Sequence, residues 1–138
     1  MSTTSRSSLE QLFLHQWMLR FPSLPPQEQF TIPAWRDFAR EQKRRGSPMR
    51  ADFAWPAAAV ALELQGGTWG RRRSGHSTGK GIQQDCIKTF VAQHAGWVLL
   101  PMTTTMLQGQ ELIWLPRLAD CILRRMKAPA EHSISLVA

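Results

Sequence analysis

Residues 50–65, RADFAWPAAAVALELQ, contain two short apolar runs separated by a proline. The first run, over residues 50–55, has apolar side chains at its odd positions and Asp52 at an even one, the period of a β-strand. The second run, over residues 60–64, follows a tight turn that begins at Pro56. Two such runs separated by a short turn predict a β-hairpin.

Helical patterns flank this hairpin on both sides. Helices are predicted from about residue 9, from 34 to 45, from 80 to 95 and from 108 to 127, and further strands at 29–32 and 97–102. Pro22 ends the first helix, Pro33 fits the first position of the second, and Gly96 caps the third. This order predicts an α/β sandwich built on a small mixed sheet.

The length and composition are those of one globular domain. The chain has 138 residues, of which 43% are apolar and 20% charged, so it can bury a core. We expect a flexible N-terminus over residues 1–8, a single domain over 9–127 and a C-terminal tail over 128–138. These numbers exclude a disordered chain and a disulfide-stapled mini-protein.

Compartment is predicted from what the sequence lacks. No stretch reaches the roughly 20 apolar residues of a membrane span, and no secretory signal is visible, so we expect no membrane partner and a cytoplasmic location, that of the host cell if the protein is phage-encoded. The two cysteines, Cys86 and Cys121, form no CxxC motif, which is typical of a reduced protein without a zinc site.

The charge favours a polyanionic partner. Lys and Arg number 17 against 10 Asp and Glu, a net charge of +7. Two clusters hold much of it: Arg40, Lys43, Arg44 and Arg45 in one, and Arg71, Arg72 and Arg73 in the other. The planar guanidinium group matches phosphate geometry, which favours nucleic acid. A solvated basic surface is the alternative.

Two carboxylates stand in the apolar hairpin. Asp52 lies in the first strand and Glu63 in the second, and adjacent strands can bring them together. A strand period of two places Gln65 on the same side as Glu63. Converging carboxylate and amide or carbonyl oxygens favour Mg²⁺ or Mn²⁺. Alternatively, Asp52 faces solvent on an edge strand and Glu63 pairs with an arginine.

Five segments occur in a family-like order: RADFAWP at 50–56, VALELQGGTW at 60–69, GH at 75–76, GIQQDCIK at 81–88 and GWVLL at 96–100. This ordered set resembles the core of the PD-(D/E)XK nuclease superfamily, which has the restriction-endonuclease-like fold. Within it, the set is most similar to small phage and bacterial nucleases akin to the very-short-patch repair endonucleases. The resemblance covers roughly residues 9–125 and implies an α/β/α sandwich and a Mg²⁺-dependent endodeoxyribonuclease.

The resemblance also implies a metal site and its ligands. Asp52 is the expected central ligand of Mg²⁺ or Mn²⁺, and Glu63 the second. Glu10, on the first helix, matches an acidic residue that many members place beside the metal; a solvated helix carboxylate is the alternative. DNA is the implied partner, and many relatives cut as dimers, so a homodimer is possible.

The chain departs from the superfamily motif at Gln65, where the motif usually has lysine. Glutamine cannot act as a base or carry a positive charge. Lys88 or Lys80, on the following helix, is the candidate for the missing cation. His76 is the candidate general base, since imidazole titrates near neutrality; its alternative is an ordinary surface residue.

The predicted DNA-binding side chains are basic or aromatic: Arg44, Arg45, Trp69, Arg71, Arg72, Arg73 and Lys80. Trp69 follows a glycine pair and could stack on a base. The other tryptophans except Trp35, which has no assignment, are predicted in the core.

Two other classes of function remain open. One is a catalytically inactive nuclease fold that serves as a DNA-binding or protein-interaction module. The other is a basic structural or inhibitory protein that binds a nuclease or nucleic acid.

Overall fold

The structure is a computed structural model that describes residues 6–66 and 79–127. Its strands are β1 (Gln27–Phe30), β2 (Ala51–Trp55), β3 (Val60–Gln65) and β4 (Val98–Thr103). Its helices are α1 (Ser8–Arg20), α2 (Pro33–Glu41), α3 (Gly79–His94), α4 (Thr104–Leu107) and α5 (Glu111–Lys127). The strands form one mixed sheet in the order β1-β2-β3-β4, so the α/β class and the small mixed sheet are confirmed.

The predicted hairpin is the centre of this sheet. β2 and β3 pair antiparallel, with Phe53 opposite Leu62. One turn of 3₁₀ helix, Pro56–Ala58, joins them, and Ala59 completes the reversal with a left-handed φ of 53°. β1 pairs antiparallel with β2, whereas β4 pairs parallel with β3 after the crossover through α3.

Helices cover both faces of the hairpin. Phe53 and Leu62 belong to one buried cluster, and the next opposed pair, Ala54 and Ala61, belongs to a second. The first cluster includes Phe13 and Trp17 of α1 and Leu115, Leu118 and Ile122 of α5, and the second includes Trp35 of α2 and Ala92 of α3. Burial on both faces explains why the hairpin is so apolar.

The alternation expected for β2 is wrong at one residue. Ala51 joins the cluster of Ala54 rather than that of Phe53 and Trp55. It lies at the start of the strand, opposite Phe30, which packs against the same cluster.

Three predicted element boundaries shift. β1 ends at Phe30, because Ile32 is already the N-cap of α2. α2 ends at Glu41, before the basic cluster finishes, and Lys43 adopts a left-handed φ of 51°. The final helix, predicted from 108, begins at Glu111, and the short helix α4, which the sequence did not predict, precedes it. Gly109 lies between them with a φ of 110°, which is unfavourable for other residues.

The tryptophans are buried to different degrees. Trp17, Trp35 and Trp55 are buried, whereas Trp97 and Trp114 are partly buried and pack against the clusters. The indole N–H groups of Trp17 and Trp55 both donate to the Leu24 carbonyl, at 2.7 and 2.8 Å. The core prediction therefore holds for most of these residues, and Trp35 gains a place in the second cluster.

β4 lies at one edge of the sheet, and its outward N–H groups are blocked. Val98 donates to the Ala59 carbonyl, so the alternate positions 99, 101 and 103 face away from β3. The Leu99 N–H donates to Gln93 Oε1 at 2.9 Å, Pro101 has no N–H, and the Thr103 N–H points to Met106 Sδ. This edge is a poor template for a further strand.

In residues 6–66 and 79–127, no helix has the length and apolar character to cross a membrane.

Arg125 of α5 connects two turns of the sheet, which gives a stability prediction. Its Nε donates to the Ala58 carbonyl at 2.8 Å and its Nη2 to the Gly96 carbonyl at 2.6 Å. Arg125→Met keeps much of the aliphatic stem but leaves both carbonyls without this donor. We expect the free energy of unfolding to fall by about 2 kcal/mol or more, measured by urea denaturation.

Arg124 supplies the matched control. Its side chain is 79% exposed and forms an i,i+4 ion pair with Asp120 on the helix surface. Arg124→Met should change stability by less than about 0.5 kcal/mol. Equal losses in the two variants would contradict the role given to Arg125.

Candidate functional site

Asp52 and Glu63 lie side by side where the β2–β3 ladder ends. The last paired residues are Phe53 and Leu62, and one step further in the same register Asp52 stands opposite Glu63. At this step Asp52 Oδ2 accepts the backbone N–H of Leu64 at 2.7 Å. The Asp52 side chain thus accepts a backbone N–H of β3. In this register the two carboxylates lie on the same face of the sheet.

Lys88 of α3 brings a positive charge to this pair. Its Nζ lies 2.5 Å from Glu63 Oε1, and the two side chains are only 19% and 18% exposed. The same Nζ donates to the Arg50 carbonyl at 2.6 Å. The structure therefore places Lys88, one of the two candidate cations, directly against the Glu63 carboxylate.

Trp35 of α2 contacts both the backbone and the side chain of Lys88. The indole N–H of Trp35 donates to the Lys88 carbonyl at 3.0 Å, and the Lys88 ammonium lies 5.3 Å from the centre of the Trp35 ring. An ammonium at this distance from an indole face gains cation–π attraction. A fully buried residue of the second cluster thus orients a charged group of the site.

Burial raises the pKa of both carboxyls. For Asp52, desolvation is the largest cause, and the charge of Glu10 adds to it, whereas the Leu64 N–H, Lys88 and Gln29 lower the pKa. For Glu63, desolvation again dominates; Lys88 lowers the pKa, whereas Asp52 and Asp85 raise it. In both groups, burial therefore makes the ionised carboxylate less stable than it would be in water.

Glu10 reaches the same end of the sheet from α1. Its Oε1 accepts the Ser7 N–H at 2.8 Å, which completes a capping box at the helix start. Its Oε2 accepts the amide Nε2 of Gln29 at 2.6 Å. Glu10 is therefore a capping residue whose charge also acts on Asp52. The sequence identified its proximity to the site but not its capping role.

A cavity of about 240 Å³ opens beside Glu63. Gln65, Asp85 and Lys88 line it together with Thr89 and a stretch of β4, Leu99 to Pro101. Gln65 and Glu63 share this cavity, as the strand period predicted. Among the described residues, the polar side chains on its wall belong to β3 and α3.

Two carboxylates of the site, those of Asp52 and Glu63, suit a hard divalent cation that takes its other ligands from water or substrate. Among residues 6–66 and 79–127, no three His, Cys, Asp or Glu side chains converge closely enough to form a metal site. Mg²⁺, however, is commonly held by one or two carboxylates together with water and substrate phosphate. Asp52 and Glu63 supply that pair, and the Lys88 ammonium already lies 2.5 Å from Glu63 Oε1.

The predicted DNA-binding residues fall into two groups. Arg44 and Arg45 are exposed after α2, where Arg44 Nη2 donates to Gln84 Oε1 of α3 at 2.6 Å, and Lys80 is exposed in the first turn of α3. Trp69, Arg71, Arg72, Arg73 and His76 lie outside the described residues, as does the tail over 128–138.

Gln29 and Trp35 are the site residues that sequence reasoning missed. Gln29 was included in a predicted strand, but its polarity gave no indication of a contact with Glu10, nineteen positions away. Trp35 contacts Lys88 across 53 positions. Such contacts are set by packing of distant segments.

No family model matches the chain, and no curated protein or solved structure shows significant similarity to it. Its function is therefore inferred from the residues around Asp52 and Glu63.

The raised pKa of Asp52 predicts a pH-dependent stability. Because the folded protein binds more protons than the unfolded chain between the ordinary carboxyl pKa and the raised value, wild-type stability falls as pH rises through that window. Asp52→Asn removes this loss and keeps an oxygen for the Leu64 N–H. We expect it to raise the free energy of unfolding at about pH 8, and much less at about pH 4, in urea titrations with EDTA.

Asp37→Asn is the control for this prediction, since Asp37 is a carboxylate with a 66% exposed side chain on α2. It should alter stability by less than about 0.5 kcal/mol at either pH. If the free energy of unfolding of Asp52→Asn changes with pH in the same way as that of wild type, Asp52 is not desolvated in the folded protein.

Proposed function

We propose that the chain is a metal-dependent DNA endonuclease with the restriction-endonuclease-like fold of the PD-(D/E)XK superfamily. One observation carries the proposal: Asp52 and Glu63 are opposed at the end of the central hairpin, with the Lys88 ammonium 2.5 Å from Glu63. Two carboxylates gathered at one sheet end can hold a metal ion for phosphodiester hydrolysis, and a lysine beside them can stabilise charge that develops on the phosphate.

The architecture supports this assignment. The hairpin with the two acidic residues forms the middle of a mixed sheet, and helices cover both of its faces. The chain then returns through α3 to place β4 parallel to β3. This arrangement is compatible with the α/β/α sandwich that the resemblance implies.

The proposed cofactor is Mg²⁺ or Mn²⁺. When bound, such an ion lowers the pKa of a water molecule and offsets charge that develops on the phosphate. Asp52 and Glu63 would hold it, with Glu10 adding negative charge at their side and the backbone near Gln65 adding a carbonyl. In the reaction, a water oxygen bonds to phosphorus, and one phosphorus–oxygen ester bond breaks to release a hydroxyl end.

Lys88 takes the part that Gln65 cannot perform. Gln65 is neutral, but Lys88 extends from α3 to the same cavity and places its ammonium there. In this proposal the ammonium orients Glu63 and presents a positive charge to the scissile phosphate. Either Lys88 or His76 assists proton transfer.

The partner is DNA, held by its phosphates. Arg44, Arg45 and Lys80 are exposed, and the hydrogen bond from Arg44 to Gln84 connects the segment after α2 to α3. Since α3 also carries Lys88, this basic group is connected to the helix that forms one wall of the site cavity. The proposal extends the interface to Trp69, Arg71, Arg72 and Arg73.

A nuclease assay tests the central claim. Wild-type protein should cut plasmid, single-stranded or branched DNA with Mg²⁺ or Mn²⁺ and not with EDTA. Asp52→Asn and Lys88→Met should each lower the rate at least about a hundredfold, because the first weakens metal binding and the second removes a positive charge at the reacting phosphate. Asp37→Asn, on an exposed face of α2, should cut like wild type.

The assay also separates the alternative function. DNA binding without cutting on every substrate and with either metal would indicate a catalytically inactive module, with Gln65 as the first residue to examine. Cutting that persists unchanged in Asp52→Asn would place the active centre elsewhere.

Salt dependence tests the DNA interface. Each phosphate contact contributes a slope of about −0.9 to a plot of log K against log salt concentration. Arg45→Ala should weaken binding to all sequences alike and reduce the slope by about 1 unit. Fluorescence anisotropy with Asp52→Asn protein and Ca²⁺ in place of Mg²⁺ measures this without cleavage, and an unchanged slope would remove Arg45 from the interface.

A further inference from the structure

Gln29 is placed next to the two acidic residues of α1 and β2. In the β1–β2 register Glu28 pairs with Phe53 and Phe30 with Ala51, so Gln29 stands opposite Asp52. Gln29, Asp52 and Glu63 therefore form one row across three strands. None of the sequence patterns assigned a function to Gln29.

The backbone of Gln29 is unfavourable for a residue with a side chain. Its φ is 49°, in the left-handed region, which a residue with a Cβ atom adopts only at an energetic cost. Residues in such conformations are enriched at functional sites, where the surrounding structure maintains them. Glycine would adopt this φ without the cost, but it has no side chain for the site.

The amide of Gln29 binds one of two carboxylates whose charges repel each other. Its Nε2 donates to Glu10 Oε2 at 2.6 Å. Gln29 lowers the pKa of Asp52, whereas the charge of Glu10 raises it. An amide is a neutral donor, so it orders the Glu10 carboxylate beside Asp52 without cancelling its charge. A lysine in its place would neutralise the charge that a cation needs.

We propose that Gln29 is a positioning residue that holds the Glu10 carboxylate beside Asp52, so that both negative charges act on a divalent cation bound at Asp52. This inference rests on the nuclease function proposed above and adds to it a residue that contacts neither DNA nor the reacting atoms. Groups that hydrogen-bond to metal-binding carboxylates typically change metal affinity 10–100-fold when they are replaced, by the general rule for such contacts.

The test is Mn²⁺ binding to DNA-free protein, measured by titration calorimetry. Gln29→Gly removes the amide while relieving the left-handed φ, so it separates the positioning role from backbone strain. We expect Gln29→Gly to unfold in urea at a concentration no lower than Gln29→Ala, and to bind Mn²⁺ at least about tenfold more weakly than wild type. Gln29→Asn, which tolerates this φ and keeps a shorter amide, should recover part of the affinity.

Gln27→Ala, an exposed glutamine of the same strand, is the matched control and should bind Mn²⁺ like wild type. If Gln29→Gly also binds like wild type, the positioning role is wrong and the nuclease proposal stands. If wild type itself binds no Mn²⁺, the metal-dependent function fails first. If Gln29→Gly does not fold, the comparison of Gln29→Asn with wild type decides, and equal affinities overturn the inference.

Discussion

The antiparallel register that sets Phe53 opposite Leu62 is the constraint on which the rest of this structure depends. It assigns the larger side chains to one core and Ala54 and Ala61 to the other. One step further, the same register aligns Asp52 with Glu63. A shift by one residue would exchange the faces of the strand and set its large side chains against the face that now packs on alanines, so core packing also fixes the relative position of the two carboxylates.

Charge at the sheet end is balanced by groups from separate parts of the chain. Burial disfavours the ionised forms of Asp52 and Glu63, and the ammonium of Lys88 and the N–H of Leu64 oppose that cost. Lys88 has its own support in Trp35, whose indole binds the Lys88 carbonyl and lies near its ammonium. The position of Lys88 therefore depends on the packing of the second core cluster.

In the proposed nuclease, Lys88 of α3 supplies the positive charge that Gln65 cannot carry. Gln65 and Lys88 line the same cavity although one belongs to β3 and the other to α3. Catalysis requires a positive charge near the reacting group, and side chains of both β3 and α3 reach this cavity. In the proposed nuclease, the motif is complete in three dimensions although it is incomplete along the strand.

The sequence alone determined the hairpin, the α/β class and most of the order of elements, because alternation and turn residues act over a few positions. It indicated that adjacent strands can bring Asp52 and Glu63 together but left a solvent-facing Asp52 open. It misplaced the ends of β1 and α2 and left Lys88 and Lys80 as candidates for the missing cation. Only the tertiary structure decided that Lys88 meets Glu63, that Gln29 joins Glu10 to the row of Asp52, and that Trp35 lies beneath the lysine. These contacts join segments 19 to 53 residues apart, and their geometry follows from how the helices pack on the two faces of the sheet, which no local pattern encodes.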